Sequence, residues 1–274
     1  MARVIHELGG ETQALIMTGG VTGRLVEELL DEAGVRWLAL PVRGRTRISL
    51  TVHDRQSGLE YRFVPQGPNV EQDEWNGALD MLQKVEGDWI VASGSLPRGV
   101  PEDFYAQAAT IAAQRGQKFV LDTSGAALRA AVGHGIELLK LSLGELEFLT
   151  GRELHDPQSQ EKEVASLIRS GAARMIAVSL GRDGAILWTN EGVSRLPAVE
   201  VEECSAVGAG DSFLAGLALG LARCVSHGEA LALGISAGAA SVATYGTAQV
   251  CRADVEKLYR RICGEPKSSI SSRT

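Results

Sequence analysis

The chain has 274 residues, 45% of them hydrophobic and 22% charged, a composition typical of a globular protein and unlike that of a disordered or fibrous chain. Its formal net charge of −7 argues against a nucleic-acid-binding or anionic-membrane-binding surface, because such surfaces need clustered lysine and arginine. The four cysteines show no CxxC spacing, no segment resembles a signal peptide, and no uncharged apolar run reaches about 18 residues, so we expect a reduced, cytoplasmic protein without a membrane span.

Short apolar runs alternate with helical patterns along most of the chain. Residues 12–20 (TQALIMTGG) predict a strand that ends in glycines, and residues 22–34 predict the helix after it. Two further strands are predicted at residues 88–97 and 118–125, with a helix between them at residues 102–116. Strands that alternate with helices of about 10–15 residues are typical of parallel βαβ units. We therefore predict an α/β fold, a doubly wound and mainly parallel sheet with helices on both faces.

Residues 35–68 break this alternation. Apolar and polar residues alternate there with a period of two, and the sequence DRQSG at residues 54–58 predicts a turn. The pattern predicts an antiparallel β insertion at about residues 36–66, which would serve as a lid or as a dimer surface. We interpret residues 1–274 as one domain with this insertion, and the serine-rich, polar residues 265–274 predict a disordered tail.

The second half of the chain continues the α/β pattern. Residues 136–151 predict a strand that runs into a helix, and residues 173–189 predict a strand, a glycine turn and a second strand. In an open parallel sheet, ligands bind beyond the carboxyl ends of the strands. Small and polar residues collect at this predicted edge: Gly19, Gly20, Gly23, Ser93, Ser95, Asp122, Lys140, Ser142, Glu145, Ser179, Gly181 and residues 205–211. Such an edge favours an anionic ligand held by backbone N–H groups.

Residues 204–222 (CSAVGAGDSFLAGLALGLA) place one acid directly before an unbroken apolar run. The small residues Gly208, Ala209 and Gly210 leave the backbone unobstructed, so their N–H groups can converge on an anion at a helix N-terminus. Asp211 would lie in or just before the first helical turn, where the helix dipole stabilises a carboxylate, and it could take a proton from a substrate hydroxyl. The alternative is that Asp211 only caps the helix, which aspartate does well, although a cap does not require Gly-Ala-Gly before it.

The sequence VGAGDSFLAGL at residues 207–217 resembles the second signature of the PfkB/ribokinase family of carbohydrate kinases. Further segments of this family are matched, in the same order, by residues 92–105, 121–128, 178–185 and 236–250. Residues 46–68 resemble the phosphosugar kinases of the family, which are the minor 6-phosphofructokinases, 1-phosphofructokinases and tagatose-6-phosphate kinases. The resemblance implies a ribokinase-like fold and ATP-dependent phosphorylation of a sugar phosphate. Fructose 6-phosphate, giving fructose 1,6-bisphosphate, is the leading candidate, with fructose 1-phosphate and tagatose 6-phosphate as alternatives.

The resemblance also implies roles for single residues. Asp211 matches the general base of the family, and Gly208, Ala209 and Gly210 match its anion hole. The residues that match the site for the phosphate of the sugar phosphate are Arg47, Ser93 and Ser95. The residues that match the ATP site are Lys140, Ser142, Ser179, Gly181 and Gly184, with Ile235 and Ala239 on the adenine side. Arg47 would reach in from the lid of a neighbouring subunit, which implies a homodimer, and its alternative is an exposed lid arginine without a ligand.

Two kinds of metal ion follow from the same resemblance. Glu145 matches a residue that orders the water around Mg²⁺, which would accompany ATP. A K⁺ site built mostly from backbone carbonyls is matched by Ser205, Val207, Ser241, Thr244 and Gly246. The five histidines, by contrast, lack metal-ligand spacing.

The sequence departs from the family pattern in the middle of the chain at two places. Residues 140–145 read KLSLGE where the family has KPNxxE, so Ser142 replaces an asparagine, and metal handling would be weakened. Glu145 follows Ser142 by three residues, so the pair also has a second interpretation as a helix capping box. Ser49 replaces an asparagine in the lid, which affects the sugar contact expected there.

The opening MARVIHELGGETQAL is a third departure. It resembles the part of the family sequence that follows the first sugar-binding segment, so about 30–45 residues, one βαβ-sized segment, are expected to be absent from the given sequence through a misassigned start or a truncation. If the chain is natural as it stands, we expect sugar binding to be compromised. This departure leaves open a second hypothesis, a nucleotide- or sugar-phosphate-binding protein without catalysis. Under both hypotheses the partners are small phosphorylated molecules and not nucleic acid or a membrane.

Overall fold

The computed structural model describes residues 1–54, 56–57, 59–244, 246 and 250–264, and the predicted tail at residues 265–274 lies outside them. The helices within the described residues are α1 (Ala2–Glu7), α2 (Gly20–Glu32), α3 (Gln72–Leu82), α4 (Phe104–Gln114), α5 (Gly125–Ala131), α6 (Leu143–Thr150), α7 (Pro157–Arg169), α8 (Ala209–Ala222), α9 (His227–Val242) and α10 (Arg252–Cys263). The strands within them are β1 (Gln13–Thr18), β2 (Arg36–Pro41), β3 (Leu50–His53), β4 (Glu60–Phe63), β5 (Trp89–Ser93), β6 (Lys118–Asp122), β7 (Leu138–Ser142), β8 (Met175–Ser179), β9 (Ala185–Thr189) and β10 (Gly192–Leu196).

Six of the strands form one sheet in the order β10-β9-β8-β7-β6-β5. Strands β5 to β8 are parallel, and β9 and β10 extend the sheet as antiparallel strands. Each parallel pair is connected through at least one helix, whereas only the short helical turn Gly181–Asp183 joins β8 to β9 and so allows an antiparallel pair. This sheet confirms the predicted doubly wound, mainly parallel α/β fold.

Side chains that alternate along the parallel strands fill two cores, one on each face of the sheet. In β6, Phe119 and Leu121 join the core that includes residues of α4 and α5, while Val120 joins the core that includes residues of α8 and α9. In β7, Leu139 joins the core of α4 and α5, and Leu138 joins the core of α8 and α9. All five side chains are at most 1% exposed. Burial on both faces explains why these strands read as nearly continuous apolar runs.

One part of the predicted antiparallel insertion is wrong. Strand β2 pairs in parallel with β1, and α2 forms the crossover between them. The period-two alternation in residues 36–41 indicates a half-buried strand but carries no information on its direction, which the intervening helix sets. The antiparallel part is limited to β3 and β4, which pair with Leu50 opposite Phe63 and His53 opposite Glu60.

The hairpin formed by β3 and β4 has both of its faces open to solvent. All residues of the two strands are exposed, and the apolar side chains of Leu50, Val52, Tyr61 and Phe63 are 48–60% accessible. A two-stranded ribbon is marginally stable in water and needs a further packing partner. The hairpin therefore offers an apolar surface that the described residues of one subunit leave uncovered.

Helices α8 and α9 pack closely because glycines line their contact. A Cβ atom at Gly216 would lie 2.7 Å from the carbonyl oxygen of Leu233, and one at Gly220 would lie 2.7 Å from Cα of Ala230. The two glycines are therefore explained by helix packing. Among the described helices, none combines the length and the apolar character needed to cross a bilayer.

Candidate active site

Polar side chains gather where the parallel strands end. Strand β5 ends at Ser93, β6 at Asp122, β7 at Ser142 and β8 at Ser179. The register places Ser93 beside Asp122 and Ser142 beside Ser179. A hydrogen bond from Ser93 to Asp211 brings the start of α8 to the same edge. This is the edge at which the sequence predicts the ligand.

The start of α8 leaves several backbone N–H groups without an acceptor. Gly208 precedes the helix with a φ of 79°, a left-handed conformation that favours glycine, and no side chain caps the helix. The N–H groups of Gly208, Gly210 and Asp211 have no protein acceptor among the described residues, and that of Ala209 makes only a 3.4 Å contact with the Ala206 carbonyl. Because the helix dipole adds positive potential here, these groups can bind an anion.

Asp211 lies in the first turn of α8 and makes no capping hydrogen bond. Its Oδ1 accepts a hydrogen bond of 3.2 Å from Ser93 Oγ, and the residue is exposed. The interpretation of Asp211 as a simple helix cap is therefore wrong. The carboxylate is instead held at the edge of the sheet next to the unpaired N–H groups.

The loop after β5 is fixed through its backbone. The Gly94 carbonyl accepts a hydrogen bond of 2.8 Å from the Tyr105 hydroxyl and one of 2.9 Å from Thr123 Oγ1. Burial raises the pKa of Tyr105 to about 12, so its hydroxyl stays protonated and remains a donor at neutral pH. Ser95 follows in the same loop and is exposed. The structure thus presents Ser93 and Ser95 on a loop whose position the neighbouring elements set.

A buried ion pair lies directly beside the turn that begins α8. Lys140 Nζ is 3.1 Å from Asp122 Oδ1, and a Cβ atom at Gly210 would lie 3.4 Å from the same Nζ. Burial raises the pKa of the Asp122 carboxyl, the Lys140 ammonium opposes part of that rise, and the carboxylates of Glu145 and Asp211 add to it. Lys140 is only 7% exposed, so water screens its charge weakly. The ammonium therefore adds positive potential next to the unpaired N–H groups.

Ser142 and Glu145 form a capping box at the start of α6, in line with the second interpretation of this pair. The Ser142 N–H donates to Glu145 Oε2 at 2.7 Å, and the Glu145 N–H donates to Ser142 Oγ at 3.3 Å. The cap uses one carboxylate oxygen, so the other can still contact the water around Mg²⁺. In the part of the chain that the structure describes, no three His, Cys, Asp or Glu residues are grouped as metal ligands. This donor set fits Mg²⁺ held mainly by nucleotide phosphates.

The residues predicted to form the nucleotide loop lie at the end of β8 and directly after it. Ser179 Oγ donates to the Leu141 carbonyl at 3.3 Å, so the hydroxyl also links two strands. Gly181 begins the helical turn after β8, and Gly184 ends it with a φ of 92°. A Cβ atom at Gly184 would lie 2.0 Å from the Leu196 carbonyl oxygen, so the close approach of β10 already requires glycine. The roles of these residues toward ATP stay predictions.

The two residues predicted to line the adenine lie one helical turn apart on α9. Ile235 is 7% exposed and belongs to the core that α8 and α9 share with the sheet. Ala239 is half-buried and packs at the edge of the neighbouring core. The helix presents them on one face, and an adenine contact there stays a prediction.

Residues 204–207 pack against the C-terminal end of α9. The N–H groups of Cys204 and Ser205 donate to the Val242 carbonyl at 2.9 and 3.1 Å. Ser241 Oγ donates to the Val207 carbonyl at 3.4 Å. The structure thereby brings together three of the residues predicted to bind K⁺.

The other two predicted K⁺ residues follow α9. The Thr244 N–H donates to the Ser241 carbonyl at 3.1 Å, and Gly246 has a φ of 61°. Carbonyl groups at a helix C-terminus carry the negative end of the helix dipole, which favours a cation. The backbone oxygens at this end of α9 are thus the kind of donor that fits K⁺.

Arg47 lies in the extended segment between β2 and β3. Thr46 ties this segment to the turn after β1, because the Gly19 N–H donates to Thr46 Oγ1 at 3.0 Å and the Thr46 N–H donates to the Gly19 carbonyl at 2.9 Å. The buried Glu74 holds the same segment by accepting a 2.6 Å hydrogen bond from the Arg43 N–H. Arg47 itself is exposed, and its guanidinium has no carboxylate partner among the described residues. It is therefore available to an anion.

Three carboxylates near the site have contacts that sequence reasoning did not assign. The position of Asp122 at a strand end indicates a place near the ligand, but nothing in the sequence indicates its ion pair with Lys140. Glu74 accepts a hydrogen bond from the Arg43 N–H across 31 positions, and Glu60 accepts a 3.0 Å hydrogen bond from Ser205 Oγ across 145 positions. No local pattern could have indicated either contact.

A second concave region lies at the opposite ends of the parallel strands, near the starts of β6 and β8. It encloses about 650 Å³, and Lys118, Arg174 and His227 are among its lining residues. Arg174 and His227 are within 4 Å of the carboxylates of Glu137 and Glu191. Their polar atoms are thus engaged in separate pairs and do not converge on one point as the groups at the start of α8 do.

Comparisons with known proteins point to one family. A family model described as "pfkB family carbohydrate kinase" matches residues 1–253. The ATP-dependent 6-phosphofructokinase isozyme 2 of Mycobacterium tuberculosis (strain CDC 1551 / Oshkosh) is 39% identical over 268 residues, which are 97% of this chain and 78% of the relative. A crystal structure of phosphofructokinase-2 from Escherichia coli in complex with potassium matches with a TM-score of 0.91 and 35% identity, over 96% of this chain and 85% of the other. A structure of the same Escherichia coli protein in complex with fructose-6-phosphate matches with a TM-score of 0.89 and 34% identity, over the same shares of 96% and 85%.

Proposed function

The chain belongs to the pfkB family of carbohydrate kinases, and from this premise we propose that it transfers the γ-phosphoryl group of ATP to fructose 6-phosphate. The relative named as an ATP-dependent 6-phosphofructokinase and the neighbour solved with fructose-6-phosphate support this acceptor. The observation that carries the proposal is the start of α8, where the exposed carboxylate of Asp211 adjoins the unpaired N–H groups of Gly208 and Gly210.

Asp211 is the proposed general base. It accepts the proton of the acceptor hydroxyl while the hydroxyl oxygen bonds to the γ-phosphorus, and the bond from that phosphorus to the bridging oxygen breaks to release ADP. Ser93 Oγ donates its hydrogen bond to Oδ1 of the carboxylate, so Oδ2 remains to accept the substrate proton. The serine thereby orients the base without neutralising it.

The N–H groups of Gly208, Ala209 and Gly210 form the proposed anion hole. Donors that already point at the developing charge stabilise it without reorganising during the reaction. Lys140 contributes positive potential from beside Gly210, and its ion pair with Asp122 keeps the ammonium in place. The transferring phosphoryl group therefore meets donors that the fold has fixed in advance.

The proposed site for the phosphate of the substrate consists of Arg47 and Ser95, because Ser93, also predicted there, donates its one hydroxyl proton to Asp211. A guanidinium suits a phosphate because its planar fork donates two parallel hydrogen bonds. Exposure of Arg47 and the fixed loop that carries the serines support this assignment. We assign Arg47 to the site of the neighbouring subunit in a homodimer.

The nucleotide is proposed to lie along the ends of β7 and β8. The residues assigned to ATP are Lys140, Ser142, Ser179, Gly181, Gly184, Ile235 and Ala239. Mg²⁺ bound with ATP would neutralise phosphate charge, and Glu145 would contact its water shell through the oxygen that the capping box leaves free.

A K⁺ ion is proposed between residues 204–207 and the C-terminal end of α9. The assigned residues are Ser205, Val207, Ser241, Thr244 and Gly246. The backbone oxygens at this helix end support the assignment, as does the potassium complex of the Escherichia coli neighbour. By binding there, the cation would steady the turn that leads into the anion hole.

A coupled assay of ADP formation tests the proposal. Fructose 6-phosphate, fructose 1-phosphate, tagatose 6-phosphate and ribose are each offered with MgATP. We expect the highest kcat/KM for fructose 6-phosphate. A higher value for another sugar phosphate would replace the acceptor but keep the kinase, and no turnover with any sugar would contradict the kinase itself.

A second function, binding of nucleotide or sugar phosphate without catalysis, draws on one observation. Ser142 offers a hydroxyl in place of the family's amide, and the Glu145 carboxylate is partly occupied by the capping box. Calorimetry with ATP and with fructose 6-phosphate separates the two functions. Binding of ATP without any turnover would favour this second function, whereas turnover of any sugar phosphate would exclude it.

A further inference from the structure

Among the described residues, one polar contact joins the lid hairpin to the rest of the subunit. Ser205 Oγ donates a hydrogen bond of 3.0 Å to Glu60 Oε2 on β4. Between the described residues of the segment 50–63, which are 50–54, 56–57 and 59–63, and the rest of the described chain, no other hydrogen bond or ion pair is present. Because both faces of the hairpin are exposed, packing does little to fix its position. The hydrogen bond at Glu60 therefore contributes more to holding the hairpin in place.

The serine at this contact also belongs to the turn that leads into α8. Ser205 is 4% exposed, and its Oγ accepts a hydrogen bond of 3.2 Å from the Val207 N–H. A serine hydroxyl has one proton and two lone pairs. When the proton points to Glu60, a lone pair is left for Val207, so the carboxylate determines how the hydroxyl is oriented.

The turn held in this way sets the direction of the anion-binding N–H groups. Val207 directly precedes Gly208, whose left-handed conformation starts α8. The Val207 carbonyl is fixed from the other side by Ser241 Oγ. The backbone between Ser205 and the anion hole therefore has two side-chain anchors, one of which depends on Glu60.

We propose that Glu60 is a positioning residue that couples the lid to the anion-binding turn. With the lid in the observed place, the carboxylate orients the Ser205 hydroxyl, and that hydroxyl holds the turn with its N–H groups directed at the ligand. When the lid moves away, the hydroxyl loses its acceptor and is free to rotate, so its hydrogen bond to the Val207 N–H is weakened. The turn is therefore fully organised only while the lid holds the observed position. The catalytic consequence rests on the proposed function, whereas the structural coupling does not.

Hydrogen exchange of the Ser205 and Val207 amides, which both donate hydrogen bonds in this turn, tests the coupling without any need for activity. We expect Glu60→Ala to speed exchange there about tenfold, the factor that corresponds to the loss of one hydrogen bond to a charged group. Glu60→Gln keeps an acceptor oxygen and should stay within about twofold of the parent chain. Asp80→Asn removes an exposed carboxylate on α3 and serves as the matched control.

A double-variant cycle with Ser205→Ala tests the route. Ser205→Ala retains the backbone carbonyl but removes the hydroxyl, so adding Glu60→Ala to it should change exchange by less than about twofold. If the protein is an active kinase, kcat should follow the same pattern, with Glu60→Ala about tenfold lower, Glu60→Gln near the parent value and KM for ATP little changed.

The possible failures are distinct. Unchanged exchange in Glu60→Ala, or the same effect of Glu60→Ala with and without the serine hydroxyl, would overturn the coupling whether or not the enzyme is active. A parent chain that shows no turnover but does show the expected exchange pattern would contradict the proposed function and leave the coupling supported.

Discussion

Ser93 Oγ donates a hydrogen bond to Asp211 Oδ1 across 118 positions of sequence, and this contact joins the end of β5 to the first turn of α8. It holds the carboxylate at the edge of the sheet where the ligand is predicted. Since a carboxylate has two acceptor oxygens, the serine leaves the second one for an incoming hydroxyl. The contact therefore ties the predicted base to the loop that also carries the predicted phosphate-binding residue Ser95.

Asp211→Asn should lower kcat by a factor of about 10² to 10⁴, the usual contribution of a general base. The amide keeps the size of the side chain and an oxygen for the Ser93 hydrogen bond, but it cannot take up the substrate proton. KM for ATP and the melting temperature should change little. Steady-state kinetics on this variant and on Asp80→Asn give the comparison, and near-normal turnover by Asp211→Asn would remove Asp211 from the reaction.

Gly208→Ala should both destabilise the protein and impair turnover. The φ of 79° at Gly208 costs an alanine about 1–2 kcal/mol, and any relaxation turns the neighbouring N–H groups away from the anion. Gly144→Ala is the matched control, because Gly144 lies inside α6 with open space where a Cβ would be. The control should be neutral or stabilising by up to about 1 kcal/mol.

Urea unfolding measures the loss of stability in both glycine variants, and kcat measures the loss of turnover. If Gly208→Ala and Gly144→Ala behave alike in both measurements, the left-handed turn has no special part in the site.

Local patterns explain most of what the sequence could predict. The Gly-Ala-Gly before Asp211 indicates an open turn at a helix start, and the structure has that turn. The turn could be predicted because the residues that indicate it are neighbours in the sequence. Ser142 and Glu145 likewise predict a capping box from their spacing alone, and the box is present. The mainly parallel sheet is also predicted by the alternating strands and helices along the chain.

Contacts between distant segments account for what the sequence could not predict. The alternation in residues 36–41 predicts a strand, but its parallel direction depends on the strand it pairs with. The hydrogen bond between Glu60 and Ser205 joins two segments 145 positions apart, and neither segment carries a pattern for the other. Such contacts depend on how the elements pack, which is set by the whole chain.

Asp122→Asn should change how stability depends on pH. Burial raises the pKa of the Asp122 carboxyl in the folded chain above its ordinary value of 3.8. Between the ordinary pKa and the raised pKa of this carboxyl, the folded chain binds more protons than the unfolded chain. The contribution of Asp122 to the free energy of unfolding therefore falls as pH rises from the ordinary pKa through the raised one. The free energy of unfolding of the parent chain, minus that of Asp122→Asn, should therefore decrease as pH rises.

Urea unfolding of both proteins from about pH 4 to about pH 7 measures this difference. Asp80→Asn is the control for an exposed carboxylate and should show little pH-dependent difference. A constant difference between the parent chain and Asp122→Asn over the whole range would contradict the raised pKa of Asp122.

Phe63→Asp should dissociate the proposed homodimer. Phe63 lies opposite Leu50 in the hairpin, and the two side chains are 58% and 60% exposed in one subunit. Burying one phenylalanine contributes about 1.5–3 kcal/mol, and a symmetric interface buries two copies, so an aspartate there should weaken dimerisation by at least about 100-fold. Val193→Asp is the control, because Val193 is 42% exposed on the edge strand β10, away from the hairpin.

Sedimentation velocity over a range of protein concentrations separates the outcomes. A parent chain that is a monomer throughout, or a Phe63→Asp variant that remains dimeric, would contradict the hairpin interface. If Arg47 acts in the neighbouring subunit, the monomeric variant should also show a raised KM for fructose 6-phosphate with little change in the KM for ATP, because the phosphate of the sugar loses a guanidinium while the nucleotide residues stay within one chain. An unchanged KM for the sugar phosphate in a proven monomer would assign Arg47 to the site of its own subunit.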